Sequence, residues 1–421
     1  MNDKRKKILY VESNVDGTIG GSYFSLLYLI QGLDKTKYIP EVAFYRENEL
    51  IERYEKAGCK VHIINKAMPL SFCKRNNNHD APNKVSSIYG PPLLAGQKLI
   101  NYFRLFLLPS FQCIGFIKRE KIDLIHLNNT LLRPQEWILA SLFTNSHVVA
   151  HERGINDSYP FLYRLNAKRL EAIFCISKSV ENRLLASGFP KKQLHLVYNG
   201  LDPEEFTISK SKESIMNEFE LNISDPVIGL IGNIKPWKGQ GLMVRAMDLI
   251  VEKMPNVRCL IIGSWAESAQ DYYDHICKLI SERNLEKNII ITGYRSDVPC
   301  LINVLRVVVH ASIRPEPFGR VLLEGMVLRK PVVTPDIGAG PEIVVDGKTG
   351  SVFTSGDPRS LADAILYLLE NPQVAEKMGN AGHKRVVEHF HIRRNIKSIE
   401  SIYASIFNNQ PLFSSRTVEA D

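Results

Sequence analysis

Between His310 and Val345 the chain reads HASIRPEPFGRVLLEGMVLRKPVVTPDIGAGPEIVV. An apolar strand, Arg306–Ala311, ends here; a proline-rich loop follows, and a helix begins near Gly319. A second buried strand, Pro331–Thr334, leads into a glycine turn and a short helical turn. Strands and helices that alternate in this way build a doubly wound α/β sheet. Two carboxylates, Glu316 and Glu324, lie eight positions apart. With Glu316 in the loop and Glu324 in the helix, they flank a helix N-terminus whose exposed N–H groups favour an anion such as a diphosphate. One acid then reaches hydroxyls on one side of the diphosphate and the other those on the far side, the layout of a sugar, a diphosphate and a ribose. A solvated loop acid is the plain alternative for Glu316. Glu324 interrupts the apolar run Val321–Leu323 and Met326–Leu328, so it needs a partner if buried. Arg320, four residues earlier, offers a structural one. The spacing alone leaves ligand and structure equally open.

The same alternation extends in both directions. Upstream, strands are expected at Lys7–Val11, Ile39–Tyr45, Lys60–Ile64, Ile122–Leu127, His147–His151, Ala172–Ile176 and Leu194–Val197. Several are apolar throughout, as in parallel sheets covered on both faces. Helical stretches lie between them at Tyr23–Gln31, Glu49–Lys56, Pro134–Leu142 and Lys178–Ala186. Asn65–Gly96 is a loop-rich insertion and Tyr198–Asp225 a polar linker. A fresh strand opens at Pro226, and alternation resumes through Val257–Gly263, Asn288–Thr292, Arg306–His310 and Pro331–Thr334. Helical stretches at Ser360–Leu369, Pro372–His389 and Ile392–Ile406 close the chain. The fold class is therefore α/β, with two tandem Rossmann-like doubly wound domains, and the interdomain cleft at the strand C-termini is the expected binding site.

A chain of 421 residues with 44% hydrophobic and 23% charged residues is ordinary for globular domains, and its net charge of +8 suits anionic partners. No nucleic-acid module is present. The seven cysteines (59, 73, 113, 175, 259, 277, 300) are scattered without a CxxC pair, which argues against a disulfide framework or a zinc site and for a reducing cytoplasmic location. The N-terminal apolar run Ile8–Val11 is too short for a signal peptide. Leu99–Ile117 is interrupted by Arg104 and Pro109, so a core helix is favoured over an interfacial one, and both over a membrane span. Nine Lys/Arg between Lys66 and Lys121 make a basic surface suited to peripheral contact with anionic lipid, or merely a solvated face.

Local signals add to this. Gly17-Thr18-Ile19-Gly20-Gly21-Ser22 follows the first strand and opens a helix, which allows close approach of a phosphate or sugar or marks a plain βα turn. Lys238 in Gly-Asn-Ile-Lys-Pro-Trp-Lys-Gly lies at a helix start, where a cation is unfavourable unless an anion sits between or the side chain turns into water. His151 and His126 end or nearly end two strands. No Asp-x-Asp occurs, so no dedicated metal is expected, and cations must balance any leaving-group charge.

Together these motifs resemble the retaining glycosyltransferases of family 4 (GT-B fold, glycosyl transferases group 1). The resemblance rests on Glu316-Pro-Phe-Gly with Glu324, on PVVTPDIGAGPEIVVDGKTG, GNIKPWKGQ, VYNGLDPEEF and GTIGGS, and spans nearly the whole chain. It implies Glu316, His151 and Lys238 as catalytic residues: Glu316 at the donor sugar, His151 near the reacting sugar, Lys238 on the phosphates. It implies donor contacts from Glu324 (ribose), from the amides around Phe318, Gly319 and Arg320, and from Tyr294 and Arg295 (base), Gly20 and Gly21. Asn233 stands where the family commonly has arginine, with Lys235, Arg314 or Arg320 to compensate. Gly263-Ser264-Trp265 replaces a Gly-x-Gly, with Trp265 covering the nucleotide or filling a packing gap. The implied domains are an acceptor-binding one at 1–200 and a nucleotide-sugar-binding one at 201–390. A helix at about 391–408 returns to the first domain, and 410–421 form a polar tail.

The expected activity is a metal-independent hexosyl transfer, with retention, from a nucleoside diphosphate-sugar to a hydroxyl. The setting is cell-envelope polysaccharide or glycolipid synthesis at the inner membrane surface, with a sugar or lipid-linked acceptor and no nucleic acid. Rival readings are a nucleotide-sugar epimerase of the same fold, which would convert donor alone, and a non-catalytic nucleotide-binding homologue, which would bind without transfer. A dinucleotide dehydrogenase lacks its glycine fingerprint.

Overall fold

A computed structural model describes residues 5–14, 19–64, 96, 100–101 and 103–412. Packing divides it into two compact units. The first comprises the described residues up to Cys175, Leu184–His195 and those from Glu400 on; the second comprises Ile176–Arg183 and Leu196–Ile399.

The first unit carries β1 (Lys6–Glu12), β2 (Tyr38–Phe44), β3 (Lys60–Ile63), β4 (Leu124–Asn128), β5 (His147–Glu152), β6 (Ala172–Cys175) and β7 (Leu194–Leu196), in the spatial order β3-β2-β1-β4-β5-β6-β7. β1 pairs in parallel with both β2 and β4. Ile8, Leu9, Tyr10 and Val11 are all fully buried, as helices on both faces of a parallel sheet require. The strand order reverses between β1 and β4, so chain leaves their C-terminal ends toward opposite sides.

The second unit repeats the plan with β8 (Val227–Ile231), β9 (Arg258–Ile262), β10 (Ile289–Gly293), β11 (Val307–Val309), β12 (Val332–Pro335) and β13 (Gly350–Phe353), ordered β10-β9-β8-β11-β12-β13. β8 pairs in parallel with β9 and β11. Ile228, Leu230, Val307 and Val309 point into a core closed by Leu242, Met243 and Met247 of the helix Gln240–Lys253. Here the order reverses between β8 and β11.

Most expected strands and helices are present within a residue or two of their bounds. Three departures stand out. Leu99–Ile117 is not a core helix: a π-helical turn, Phe103–Leu107, runs into the helix Leu108–Glu120, which buries only Ser110, Cys113 and Ile117. Phe111 on its outer side is 69% exposed. The Tyr198–Asp225 stretch is not a plain linker. Ser211 caps a helix, Lys212–Glu218, by accepting from Ser214 N at 3.1 Å, and Ile215 and Met216 are buried beneath it. β13 is the third difference: Gly350-Ser351-Val352-Phe353 is too short and mixed to read as a strand, yet it pairs along the whole of β12. The final helix, Ile392–Phe407, passes from the second unit into the first, where Tyr403 is fully buried and Glu400 accepts from Asp34 N at 2.7 Å. The expected insertion, apart from Gly96, and most of the expected tail lie outside the described residues. Among the described residues, no helix is long and apolar enough to cross a membrane.

Candidate active site

In the second unit, the point where the strand order reverses is built from two loops. β8 is followed by Gly232, the turn Pro236–Lys238 and then Gly239; β11 is followed by His310–Gly319 and the helix Arg320–Val327. The loops are fastened together. Ile313 N donates to Trp237 O at 2.9 Å, and Gly239, at φ +80°, lies so close to Ala311 O that a Cβ would collide with it. This brings Lys238 Nζ to 2.6 Å from Glu316 Oε1. The other carboxylate oxygen, Oε2, lies 2.6 Å from His310 Nε2 and accepts from Ser312 Oγ at 2.8 Å. Thr334 Oγ1 backs the ring at 3.1 Å from His310 Nδ1. Burial by itself would push the Glu316 carboxyl up, but the His310 ring and the Lys238 ammonium outweigh it and hold the acid well below the usual carboxylate range. Behind it, Gly338 at φ +69° leaves space for the Glu316 backbone: a Cβ there would come 2.5 Å from Glu316 N. Ala339 N donates to Glu316 O at 3.0 Å. The result is an ionised acid in a fixed pose, only 14% exposed, paired with a lysine at a strand-end loop.

The corresponding place in the first unit is also polar and buried. Register pairs Glu12 with Asn128 and Tyr10 with His126 across β1 and β4, and His151 with Phe174 across β5 and β6. Asn128 Nδ2 donates to Glu12 Oε2 at 2.6 Å, and Arg153 Nε donates to Asn128 Oδ1 at 2.8 Å. Burial raises the Glu12 carboxyl, against the pull of Asn128 and Asn129. His151 is 1% exposed; its Nδ1 lies 3.0 Å from His126 Nε2 and 3.4 Å from Arg153 NH2. Burial, then the charge of Arg153, holds both histidines neutral. Glu152 accepts from the amides of Leu131 (2.9 Å) and Gly154 (3.2 Å), and burial pushes its carboxyl up to about 7.

Two family models match the sequence. Glycosyl transferases group 1 takes in residues 211–385, which include Lys238, Glu316 and Glu324; Glycosyltransferase Family 4 takes in residues 48–205. Between them they cover most of the chain. It belongs to glycosyltransferase family 4. This glycosyltransferase is 21% identical over 380 residues to N-acetyl-alpha-D-glucosaminyl L-malate synthase of Bacillus anthracis, a match that covers 86% of this chain and 93% of that protein. It is 29% identical over 238 residues to the capsular polysaccharide biosynthesis glycosyltransferase CapM of Staphylococcus aureus, over 55% of this chain and 60% of that one. Its fold matches HepE of Anabaena, crystallised with UDP, with TM-score 0.77 at 21% identity, over 95% of this chain and 100% of that chain. The GT-B class expected from sequence is therefore the observed one. Both models describe transferases, which favours transfer over epimerisation or binding without chemistry.

Of the residues picked out by sequence in the glycosyltransferase, Glu316 and Lys238 are in direct contact. Glu324 pairs with Arg320 at 3.6 Å, the structural partner its spacing allowed. Phe318 is buried beside Tyr198 and Phe390, so only its backbone is offered outward, while Gly319 caps the helix at φ +83°. Asn233, Lys235 and Arg314 are exposed; the Asn233 carbonyl accepts from Gln240 Nε2 at 3.2 Å. Tyr294 is 77% exposed. Arg295 is held by Asp297 (two contacts of 2.8 Å) and by Glu218, a network that Lys210 joins at 2.7 Å from Asp297. Trp265 stacks on Tyr273, centroids 3.7 Å apart. Gly20 and Gly21 begin the helix Gly21–Gly32 and are exposed; Gly17 and Thr18 lie outside the described residues. Sequence reasoning passed over His310 and Ser312, which stand two residues apart at the end of β11, and over Glu12, Asn128 and Glu152. Their common signal is a polar residue at the last position of, or just after, a buried strand. Among the described residues, one set could hold a metal: Glu41, His62 and Glu120, whose acids are already paired with Lys7 at 3.2 Å and Lys60 at 2.6 Å.

Proposed function

We propose that this glycosyltransferase transfers a hexose, with retention, from a nucleoside diphosphate-sugar to a hydroxyl of a sugar or lipid-linked acceptor in cell-envelope polysaccharide or glycolipid synthesis. The observation that carries the reading is the Lys238–Glu316–His310 contact at the strand-order reversal of the second unit. An ionised carboxylate in a fixed pose accepts hydrogen bonds from sugar hydroxyls. The adjacent ammonium, with the amides of Phe318, Gly319 and Arg320, balances the negative charge that develops on a departing diphosphate. Glu324 is assigned to the ribose, Tyr294 and Arg295 to the base, Gly20 and Gly21 to the phosphates, and His151 to the reacting sugar. No acid is placed as a covalent nucleophile. The sugar's anomeric C–O bond therefore breaks and the new one forms on the same face, and the acceptor proton passes to the departing diphosphate oxygen. Lysine and amides supply the cationic environment in this scheme, so no divalent metal is assigned.

Nucleotide binding tests this directly. Thermal unfolding is followed with UDP, GDP, ADP and their common sugar conjugates, with and without chelator. A ligand at 100 times its dissociation constant adds about 2.7 kcal/mol of stability. The expected result is one nucleotide that stands out, unaffected by chelator, and is used for transfer. A shift that chelator abolishes overturns the metal-free scheme, and no shift from any nucleotide overturns the donor assignment.

A further inference from the structure

The parallel register of the first sheet lines up a buried polar relay. Tyr10 pairs with His126 across β1 and β4, and His126 pairs with Val149 of β5, so His151, two residues further along β5, shares the face of His126. Tyr403, carried in by the final helix, covers that face. Its hydroxyl contacts His126 Nδ1 and lies 3.4 Å from the hydroxyl of Tyr10. His126 Nε2 faces His151 Nδ1 at 3.0 Å, and the two rings stack with centroids 5.1 Å apart. His151 Nε2 is buried with no hydrogen-bond partner among the described residues.

The donors and acceptors in this relay can be ordered from one end. A guanidinium is donor-only. Arg153 NH2, 3.4 Å from His151 Nδ1, therefore requires Nδ1 to be an acceptor. His126 Nε2 must then be the donor of the contact between the rings. A neutral His126 protonated at Nε2 has a bare Nδ1, which accepts from the Tyr403 hydroxyl. Burial and the nearby Arg153 charge keep both rings neutral. Each ring then has one N–H, and that of His151 is at Nε2, the atom without a partner. Buried polar atoms are rarely left unsatisfied, and this one is explained by a ligand atom that accepts.

We propose that Tyr403 and His126 are positioning residues that hold His151 in the tautomer protonated at Nε2, so that His151 meets the substrate as a hydrogen-bond donor and not as a base. The second half rests on the placement of His151 at the reacting sugar; the tautomer order does not. A donor there fits the scheme in which the departing diphosphate takes the acceptor proton, because no second base is needed. It also gives the final helix a part in the chemistry, since the residue that starts the ordering chain on the hydroxyl side is 277 positions from the histidine it orients.

The test is long-range proton–nitrogen correlation NMR on the full chain with isotopically labelled histidine. Signals are assigned by their loss in His151→Gln and His126→Gln. The expected spectrum has both rings protonated at Nε2 and bare at Nδ1. In Tyr403→Phe the donor to His126 Nδ1 is gone. The pair is expected to become a mixture of tautomers, and kcat to fall about tenfold, one hydrogen bond's worth, with donor KM little changed. A purely structural tyrosine would lower Tm and leave the ring signals alone, which would overturn its positioning part. A wild-type His151 protonated at Nδ1, or at both nitrogens, overturns the proposal outright, and that spectrum decides even where Tyr403→Phe fails to fold. Full transfer by His151→Gln beside the expected spectrum would remove His151 from the substrate site while leaving the tautomer order standing.

Discussion

Glu316 draws its chemistry from three neighbours, and each sets a different property. Lys238 and His310 keep it ionised, and Ser312 fixes the oxygen that His310 shares. Glu316→Gln keeps the shape but puts an amide among these donors and removes the charge. Transfer is expected to fall by about a hundredfold or more in steady-state assays, with the fold intact by circular dichroism. Glu152 behaves in the opposite sense. Burial raises its carboxyl from an ordinary 4.5 to about 7, so the folded state holds the proton more tightly than the unfolded chain does. The stability it contributes is complete below 4.5, declines as pH rises through that window, and is gone above about 7. Glu152→Gln cannot titrate. Urea unfolding of both proteins at pH 5 and pH 8 should show the wild type losing on the order of 3 kcal/mol relative to the variant over that interval.

Loops at strand ends decide the pose of these residues, and the glycines in them divide into two kinds. Gly338 is at φ +69° against the Glu316 backbone, so Gly338→Ala must push that loop aside. It is expected to cost transfer more than stability, as seen by comparing kcat with Tm. Gly20 has an extended φ of −129° and nothing within 4 Å of a Cβ, so the fold itself does not require glycine there. Gly20→Ala should change stability by no more than about 0.5 kcal/mol. If the backbone there approaches the donor phosphates, as proposed, donor KM should rise; an unchanged KM would remove Gly20 and Gly21 from the site. This contrast marks what sequence can give. Strands such as Ile8–Val11 are legible because burial on both faces leaves only apolar choices; Glu316 and Lys238 stand out as polar residues after such strands, but their contact is seen only in the fold. His126 was visible only as a strand-end residue, since its partner Tyr403 lies in the last helix and only three-dimensional packing joins them. His310 was hidden for a similar reason: as the last residue of an apolar run it looks like a strand boundary. The outward face of Leu108–Glu120 was misread because an apolar composition does not say which side is covered.

At the scale of the whole molecule, that uncovered face meets the net charge of +8. Phe103, Leu108 and Phe111 are 56%, 49% and 69% exposed, and Phe161, Leu162 and Leu165 of the helix Phe161–Ala167 are 68%, 54% and 47% exposed. The two groups belong to neighbouring elements, since Phe106 and Tyr163 are in ring contact with centroids 6.2 Å apart. Arg104, Lys118, Arg119, Arg164, Lys168 and Arg169 stand on or beside the same helices. Apolar side chains with cations on the same helices are what lying on an anionic bilayer requires, and vesicle binding tests whether this face does so. Of the nine Lys/Arg between Lys66 and Lys121, Lys66, Lys74, Arg75, Lys84 and Lys98 lie outside the described residues. Burying one phenylalanine in the interface is worth about 1.5–3 kcal/mol, tenfold or more in affinity. Phe111→Glu and Phe161→Glu should therefore each weaken sedimentation with vesicles containing phosphatidylglycerol by at least about tenfold. Neither should alter Tm or transfer to a water-soluble acceptor, because both residues are already solvent-exposed. Equal binding of wild type and variants would remove the membrane from this face. Binding to neutral and anionic vesicles alike would keep the aromatic contribution and discard that of the arginines and lysines.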